Sequence, residues 1–80
     1  MNCYLVYLSG GSASLEKFPH HYELEKDRLW AIASDANTCA DVSNLVGIGG
    51  GAPGVVVRIG EYYGHYDTAL WQKLAAWSQL

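Results

Sequence analysis

Residues 54–63 read GVVVRIGEYY, and this segment carries the clearest secondary-structure signal in the chain. Three successive valines followed by Ile59 are typical of a β-strand, because β-branched side chains pack well on a pleated surface. Apolar side chains on both faces are typical of a central strand, which is covered from two sides. The segment therefore predicts a central strand, and the remaining elements are arranged around it.

Two other apolar runs predict further strands, at residues 3–8 (CYLVYL) and 28–34 (RLWAIAS). Each run is short and ends in turn-forming residues, as strands do. Residues 20–30 favour a hairpin that turns near Glu25–Asp27 and carries an extra arm at Tyr22–Leu24. The helix-forming residues of this segment leave a helix as the alternative.

Boundary signals predict two helices. Thr38 and Asp41 have the spacing of a capping box for a helix at 38–46, with Asn37 as an alternative cap. Asp67 is the expected cap of a second helix. In that second helix, one core-facing stripe is formed by Leu70, Leu74 and Trp77.

The glycine-rich run GIGGGAPG (47–54) contains the spacing of a dinucleotide-binding fingerprint. That fingerprint needs a strand before the glycines and a helix after them, so that the helix N-terminus points at the phosphate. Here the order is reversed, with a helix before the glycines and a strand after them. We interpret the run as a connector in which Gly47 ends the helix.

These elements predict an α+β fold in the order β–β–α–β–α, with a small mixed sheet of three to four strands. Strand 28–34, helix 38–46 and strand 54–62 form a crossover unit, whose two strands run parallel. The order is similar to a ferredoxin-like fold that lacks its first helix. We expect both helices on one face of the sheet, which leaves the other face uncovered.

The composition predicts that this single domain of 80 residues associates with itself. Half of the residues are apolar, six Tyr, three Trp and one Phe are present, and only 16% are charged. A chain of this size buries only about 60% of its surface on folding, so much apolar surface stays outside. We expect a homo-oligomer, dimeric or higher, with interface residues Tyr4, Arg58, Tyr62 and Trp71.

The charge pattern argues against several partners. The net charge is −3 and no cluster of Lys or Arg is present, whereas nucleic-acid binding needs a basic surface. No signal peptide or long apolar run is found, so we expect a cytoplasmic location and no membrane contact. Cys3 and Cys39 are isolated, which indicates core packing and implies neither a metal nor a cofactor.

Polar and aromatic residues follow the two strands of the crossover unit, in SDANT (34–38) and EYYGHYD (61–67). Ligands gather at the carboxyl ends of parallel strands, so the two segments predict one binding rim. Its candidate ligand-binding residues are Asp35, Asn37, Thr38, Tyr62, Tyr63, His65 and Tyr66. Helix capping and an interface between copies are the alternative roles. No Ser or Cys is fixed beside His65, so no catalytic residue is assigned.

Residues 54–74 (GVVVRIGEYYGHYDTALWQKL) resemble the ending of small orphan proteins carried in integron gene cassettes. The likeness lies in a Val-rich strand, a Tyr-Gly turn and a Trp-bearing helix. It implies a compact α+β fold and self-association, and it transfers no catalytic residues. We therefore predict a self-associating binding module rather than an enzyme. The alternatives are a small-molecule-binding protein or small enzyme that uses the rim, and a toxin–antitoxin or anti-phage component.

Overall fold

The computed structural model describes residues 1–10, 15–48, 51, 53–63 and 67–80. They form four strands and two helices, which confirms the α+β class and the predicted order, with the hairpin arm predicted at Tyr22–Leu24 as the fourth strand. The strands are β1 (Asn2–Leu8), β2 (His20–Glu25), β3 (Leu29–Ser34) and β4 (Gly54–Arg58). The helices are α1 (Cys39–Val46) and α2 (Thr68–Trp77).

The strands form one sheet in the spatial order β2-β3-β1-β4, and every neighbouring pair is antiparallel. The expectation of a mixed sheet was therefore wrong. β3 and β4 do run in the same direction, but β1 lies between them and pairs with both. This is the split βαβ arrangement of ferredoxin-like folds, with the β1–β2 connection in place of the first helix. The strand predicted to be central, β4, is consequently an edge strand.

Residues 20–34 form the expected hairpin, and the helical alternative is excluded. The turn is closed by a hydrogen bond from Arg28 N to Glu25 O at 3.0 Å. Asp27 takes a left-handed conformation there, with φ of 60°. The pairing of β2 with β3 is interrupted by an irregularity between Glu23 and Glu25. Because of this bulge, β2 is an irregular edge.

Both helices begin at the predicted caps. Thr38 Oγ1 accepts a hydrogen bond from Asp41 N at 3.1 Å, and Asp67 Oδ1 accepts one from Ala69 N at 2.8 Å. Gly47 ends α1 in the left-handed conformation with φ of 95°, as predicted, whereas Gly49, Gly50 and Ala52 of the glycine run lie outside the described residues. Within the described residues, no helix is both long enough and apolar enough to cross a membrane.

The two helices lie on opposite faces of the sheet, contrary to expectation. α1 packs on the face formed by the large side chains Tyr4, Val6, Leu8, Trp30 and Ile32. Leu15 and Phe18, from the β1–β2 connection, fill the rest of that face. α2 packs on the opposite face, against the small side chains Cys3, Ala31 and Ala33. The first face is already occupied by α1 and the β1–β2 connection. The small residues on the second face allow α2 to approach the sheet closely.

The cover that α2 provides is incomplete. Its buried side chains Leu74 and Trp77 pack over the middle of the sheet, with Tyr22 of β2 and Leu5 of β1 at the margins of the cluster. The β4 end of the same face is only partly covered, and Val55 and Val57 there remain half exposed. Neither face is bare, but one edge of one face lacks cover.

Candidate functional site

Three large apolar side chains are exposed on the face of the sheet that α2 packs against, at the end nearest β4. Val55 and Val57 of β4 are 51% and 52% exposed, and Tyr7 of β1 is 44% exposed. Tyr7 lies directly opposite Val55 in the β1–β4 register, and opposed residues in an antiparallel pair share a face. The three side chains therefore form one continuous surface, which we call the β4 patch (Tyr7, Val55, Val57).

A groove of about 230 Å³ continues the β4 patch towards α2. Val57 lines it from β4, Leu70 and Trp71 line it from α2, and Tyr62 lines it from the segment after β4. The rings of Tyr62 and Trp71 lie 4.9 Å apart, a separation typical of aromatic pairs. We call this the β4–α2 groove. It places Tyr62 and Trp71, both predicted to lie at an interface, beside the exposed valines.

We expected Arg58 to lie on an uncovered face of the sheet. Its side chain instead links β4 to β1. Its Nη2 donates a hydrogen bond to Asn2 Oδ1 at 2.8 Å. Asn2 Nδ2 donates in turn to Ala36 O at 3.0 Å, and Tyr4 Oη donates to the same oxygen at 2.6 Å. Tyr4 is 0% exposed, so it belongs to the core under α1 rather than to an interface.

Two of the polar residues of segment 34–38 form hydrogen bonds with nearby backbone groups. Ser34 Oγ accepts a hydrogen bond from Ala36 N at 3.1 Å, and Thr38 caps α1. Asp35 and Asn37 are exposed. None of the predicted rim residues in this segment lines the β4–α2 groove, and none lines a second groove of about 220 Å³ between β1 and the end of α2.

In neither of these two grooves do described residues of the two rim segments, 34–38 and 61–63, lie together. The reason is the position of β1, which separates the carboxyl ends of β3 and β4 by two strand spacings, about 10 Å. Of the other predicted rim residues, Tyr62 and Tyr63 line the β4–α2 groove and are 42% and 93% exposed. His65 and Tyr66 lie outside the described residues.

Asp67 links α2 to β2 through a contact that the sequence analysis missed. Its Oδ2 accepts a hydrogen bond from Tyr22 Oη at 2.6 Å, while Oδ1 caps the helix. Lys73 Nζ lies 5.6 Å from the centre of the Tyr22 ring, within the range of cation–π contacts. The Tyr22 hydroxyl holds the pKa of Asp67 below its ordinary value, although partial burial acts in the opposite direction. The alternation of Tyr22 and Leu24 on one face was the available signal.

Cys3 is a second described residue whose pKa is shifted. It is 9% exposed under α2, and this burial raises the pKa of its thiol despite the nearby N-terminal ammonium. In the part of the chain that the structure describes, no three His, Cys, Asp or Glu side chains cluster as metal ligands would. The thiol is therefore a packed core group in this geometry.

Among the described residues, five of the eight large apolar side chains that are exposed lie at the β4 edge: Tyr7, Val55, Val57, Tyr62 and Tyr63. The predicted ligand-binding residues Asp35, Asn37 and Thr38 do not line the groove there. Val57 belongs to both the β4 patch and the β4–α2 groove, so any partner at one contacts the other. Comparison of the chain with protein-family models, with curated proteins and with solved structures finds no match.

Proposed function

We propose that this protein is a self-associating interaction module in which a second copy covers the β4 patch. The observation that carries the proposal is the half-exposure of Val55 and Val57 on a regular strand of the sheet. Strand valines on a helix-covered face are normally buried, and contiguous exposed apolar surface marks an interaction site. A second copy supplies the missing cover.

The exposed area supports an interface of useful size. A large aromatic side chain contributes about 200 Å² when it is fully covered. Tyr7, Tyr62 and Tyr63 are 44%, 42% and 93% exposed, which corresponds to roughly 350 Å² in each copy. Two copies therefore contribute roughly 700 Å² before the valines are counted, and specific interfaces begin at about 1,000 Å² in total.

The chemistry of the surface also suits association. The β4 patch holds no charged side chain, so two copies meet there without removing charges from water. Tyr is enriched in the buried centres of protein interfaces, whereas Lys and Glu are depleted. The net charge of −3 in each copy is carried outside the patch, and one residue of each sign, Arg58 and Glu61, lines the adjoining groove.

The test is a charge placed in the patch, compared with the same change elsewhere. Val57→Lys puts an ammonium in the proposed interface, and Leu45→Lys is the matched control because Leu45 on α1 is also 52% exposed. Light scattering behind a sizing column should show dimerisation weakened at least about tenfold by Val57→Lys, a loss of about 1.4 kcal/mol. Leu45→Lys should leave it unchanged. Equal average molar masses of Val57→Lys and Leu45→Lys at the same concentration would refute the proposal.

The β4–α2 groove supports a second candidate function, the binding of a small planar aromatic molecule against Tyr62 and Trp71. The 4.9 Å ring pair offers a stacking surface. The volume of about 230 Å³ is below the roughly 300–1,000 Å³ of most ligand sites, which favours self-association. A thermal shift with an aromatic metabolite that is lost in Trp71→Ala would support ligand binding, and a shift that persists would place the ligand elsewhere.

A further inference from the structure

We propose that two copies join by antiparallel pairing of their β4 strands, so that one continuous sheet spans both. This inference rests on the proposed self-association and specifies its geometry. It concerns the backbone of the strand, whereas the β4 patch concerns its side chains. Exposed strand edges are known templates for the addition of another strand.

The hydrogen bonds just before and just after β4 show which of its backbone groups point towards β1. Ile59 N donates to Cys3 O and Ser9 N donates to Pro53 O, both at 2.9 Å. Hydrogen-bonded and non-bonded pairs alternate along an antiparallel ladder, so Val55 and Val57 direct their N–H and C=O groups at β1. The other residues of the strand direct theirs away from β1, and these are Gly54, Val56 and Arg58. Among the described residues, no strand pairs with β4 on that side.

The two edges of the sheet differ in how they are protected. β2 carries the exposed acids Glu23 and Glu25, an irregularity between them, and a proline immediately before the strand. Charges, bulges and prolines are the features that keep sheet edges from pairing with other strands. β4 has a regular register with β1, and three valines in five residues. Ile48, which forms an isolated β-bridge, lies beside Gly54 at the start of β4. Beyond that point β4 is the less protected of the two edges.

A second copy is the occupant that this edge fits, because β4 is self-complementary. With Val56 opposite the partner's Val56, all three outward-facing residues of each strand form hydrogen-bonded pairs. Arg58 then lies opposite the partner's Gly54, so the two guanidinium groups are kept apart and like charges do not face each other. Val55 lies opposite the partner's Val57 on the α2 face. This register brings the β4 patches of the two copies side by side on one face, so that Val55 of each copy packs against Val57 of the other.

Amide hydrogen exchange of the wild-type chain, followed residue by residue by NMR, tests the pairing. Val56 and Arg58 should exchange about tenfold more slowly once nine-tenths of the protein is dimeric, because their N–H groups are then paired. Val55 and Val57 are the internal controls, since their amides are paired with β1 at every concentration. A dimer in which Val56 and Arg58 are not slowed would overturn the edge pairing and leave self-association standing. A chain that stays monomeric would overturn both.

A proline variant tests the same point by mutation. Val56→Pro removes an N–H that points away from β1, a position where edge strands tolerate proline. Val56→Ala is the matched control, because it shortens the side chain and keeps the N–H. Val56→Pro should dimerise at least tenfold more weakly than Val56→Ala, with a circular dichroism spectrum that shows a folded chain. Equal dimerisation of two folded variants contradicts the pairing, and if the proline variant unfolds, the exchange rates of the wild-type chain decide.

Discussion

Leu5 and Val57 lie directly opposite each other on β1 and β4, yet only one of them is covered. Leu5 packs at the margin of the cluster beneath α2, whereas Val57 is 52% exposed. The boundary of the helix cover therefore runs between two neighbouring strands. This boundary creates both the β4 patch and the β4–α2 groove, and it is the structural basis of the proposed self-association.

The start of β4 should be intolerant of any side chain. A Cβ added at Gly54 would overlap the backbone carbonyl oxygen of Tyr7, so β4 would have to move away from β1. We expect Gly54→Ala to lower the free energy of unfolding by about 2 kcal/mol or more, in the range for overpacked sites. A Cβ added at Gly60 meets no atom within 4 Å, so Gly60→Ala should change the free energy of unfolding by less than about 0.5 kcal/mol. Urea unfolding measures both, and equal losses would contradict the close approach.

The cap of α1 can be tested against its neighbour. Thr38 accepts the hydrogen bond from Asp41 N, while Asn37 is exposed and was the alternative cap. We expect Thr38→Ala to lower the free energy of unfolding by about 1 kcal/mol, as for other lost caps. Asn37→Ala should have little effect. The reverse ranking in denaturant unfolding would show that Asn37 is the cap in solution.

Asp67 should make stability depend on acid pH. Its pKa is lowered in the folded protein, mainly by the Tyr22 hydroxyl, so the unfolded chain binds the proton more readily. The contribution of ionised Asp67 to the free energy of unfolding is therefore complete above the ordinary pKa of about 3.9. It is lost as the pH falls through the lower pKa that Asp67 has in the folded protein. Between pH 6 and about pH 3, the free energy of unfolding should fall less in Asp67→Asn than in wild type. The asparagine keeps a side-chain oxygen that can cap the helix.

Tyr22→Phe is the companion variant for this pH dependence. It removes the hydroxyl that lowers the pKa of Asp67 and keeps the ring beside Lys73. The decline of stability below pH 4 should become shallower in this variant as well. Profiles parallel to wild type in both Asp67→Asn and Tyr22→Phe would show that the contact does not persist in solution.

The Cys3 thiol should be unreactive while the chain is folded. Burial raises its pKa, so less of the nucleophilic thiolate is present near neutral pH, and the sulfur is also covered by α2. We expect iodoacetamide to label Cys3 at least about tenfold faster in urea than in buffer. Mass spectrometry of the labelled peptide gives the two rates. Equal rates would place Cys3 outside a stable core.

The features that could be predicted from the sequence are those decided locally. Thr38, Gly47 and Asp67 act on backbone groups within four residues of themselves, so their types alone indicated the helix boundaries. The hairpin at 20–34 was likewise visible in two short strand patterns separated by a turn. These predictions were confirmed because no distant part of the chain decides them.

The order of strands and the face chosen by α2 depend on distant contacts. Valines on both faces of β4 suggested a central strand, but β1 takes that position by pairing with both β3 and β4. The face of α2 had a signal that was overlooked, the alternation of Trp30 and Ile32 with Ala31 and Ala33. The small residues marked where a helix could approach. The same strand order places β1 between the two segments of the predicted rim, which the local sequence pattern does not indicate.

The most direct measurement is sedimentation equilibrium of the wild-type chain over a range of concentrations. The chain has a mass of 8.7 kDa. We predict that the weight-average mass rises from this value towards twice 8.7 kDa as the concentration increases through the micromolar range. A mass that stays at 8.7 kDa up to about millimolar concentration would show that the β4 patch remains open to water, which contradicts the proposed function.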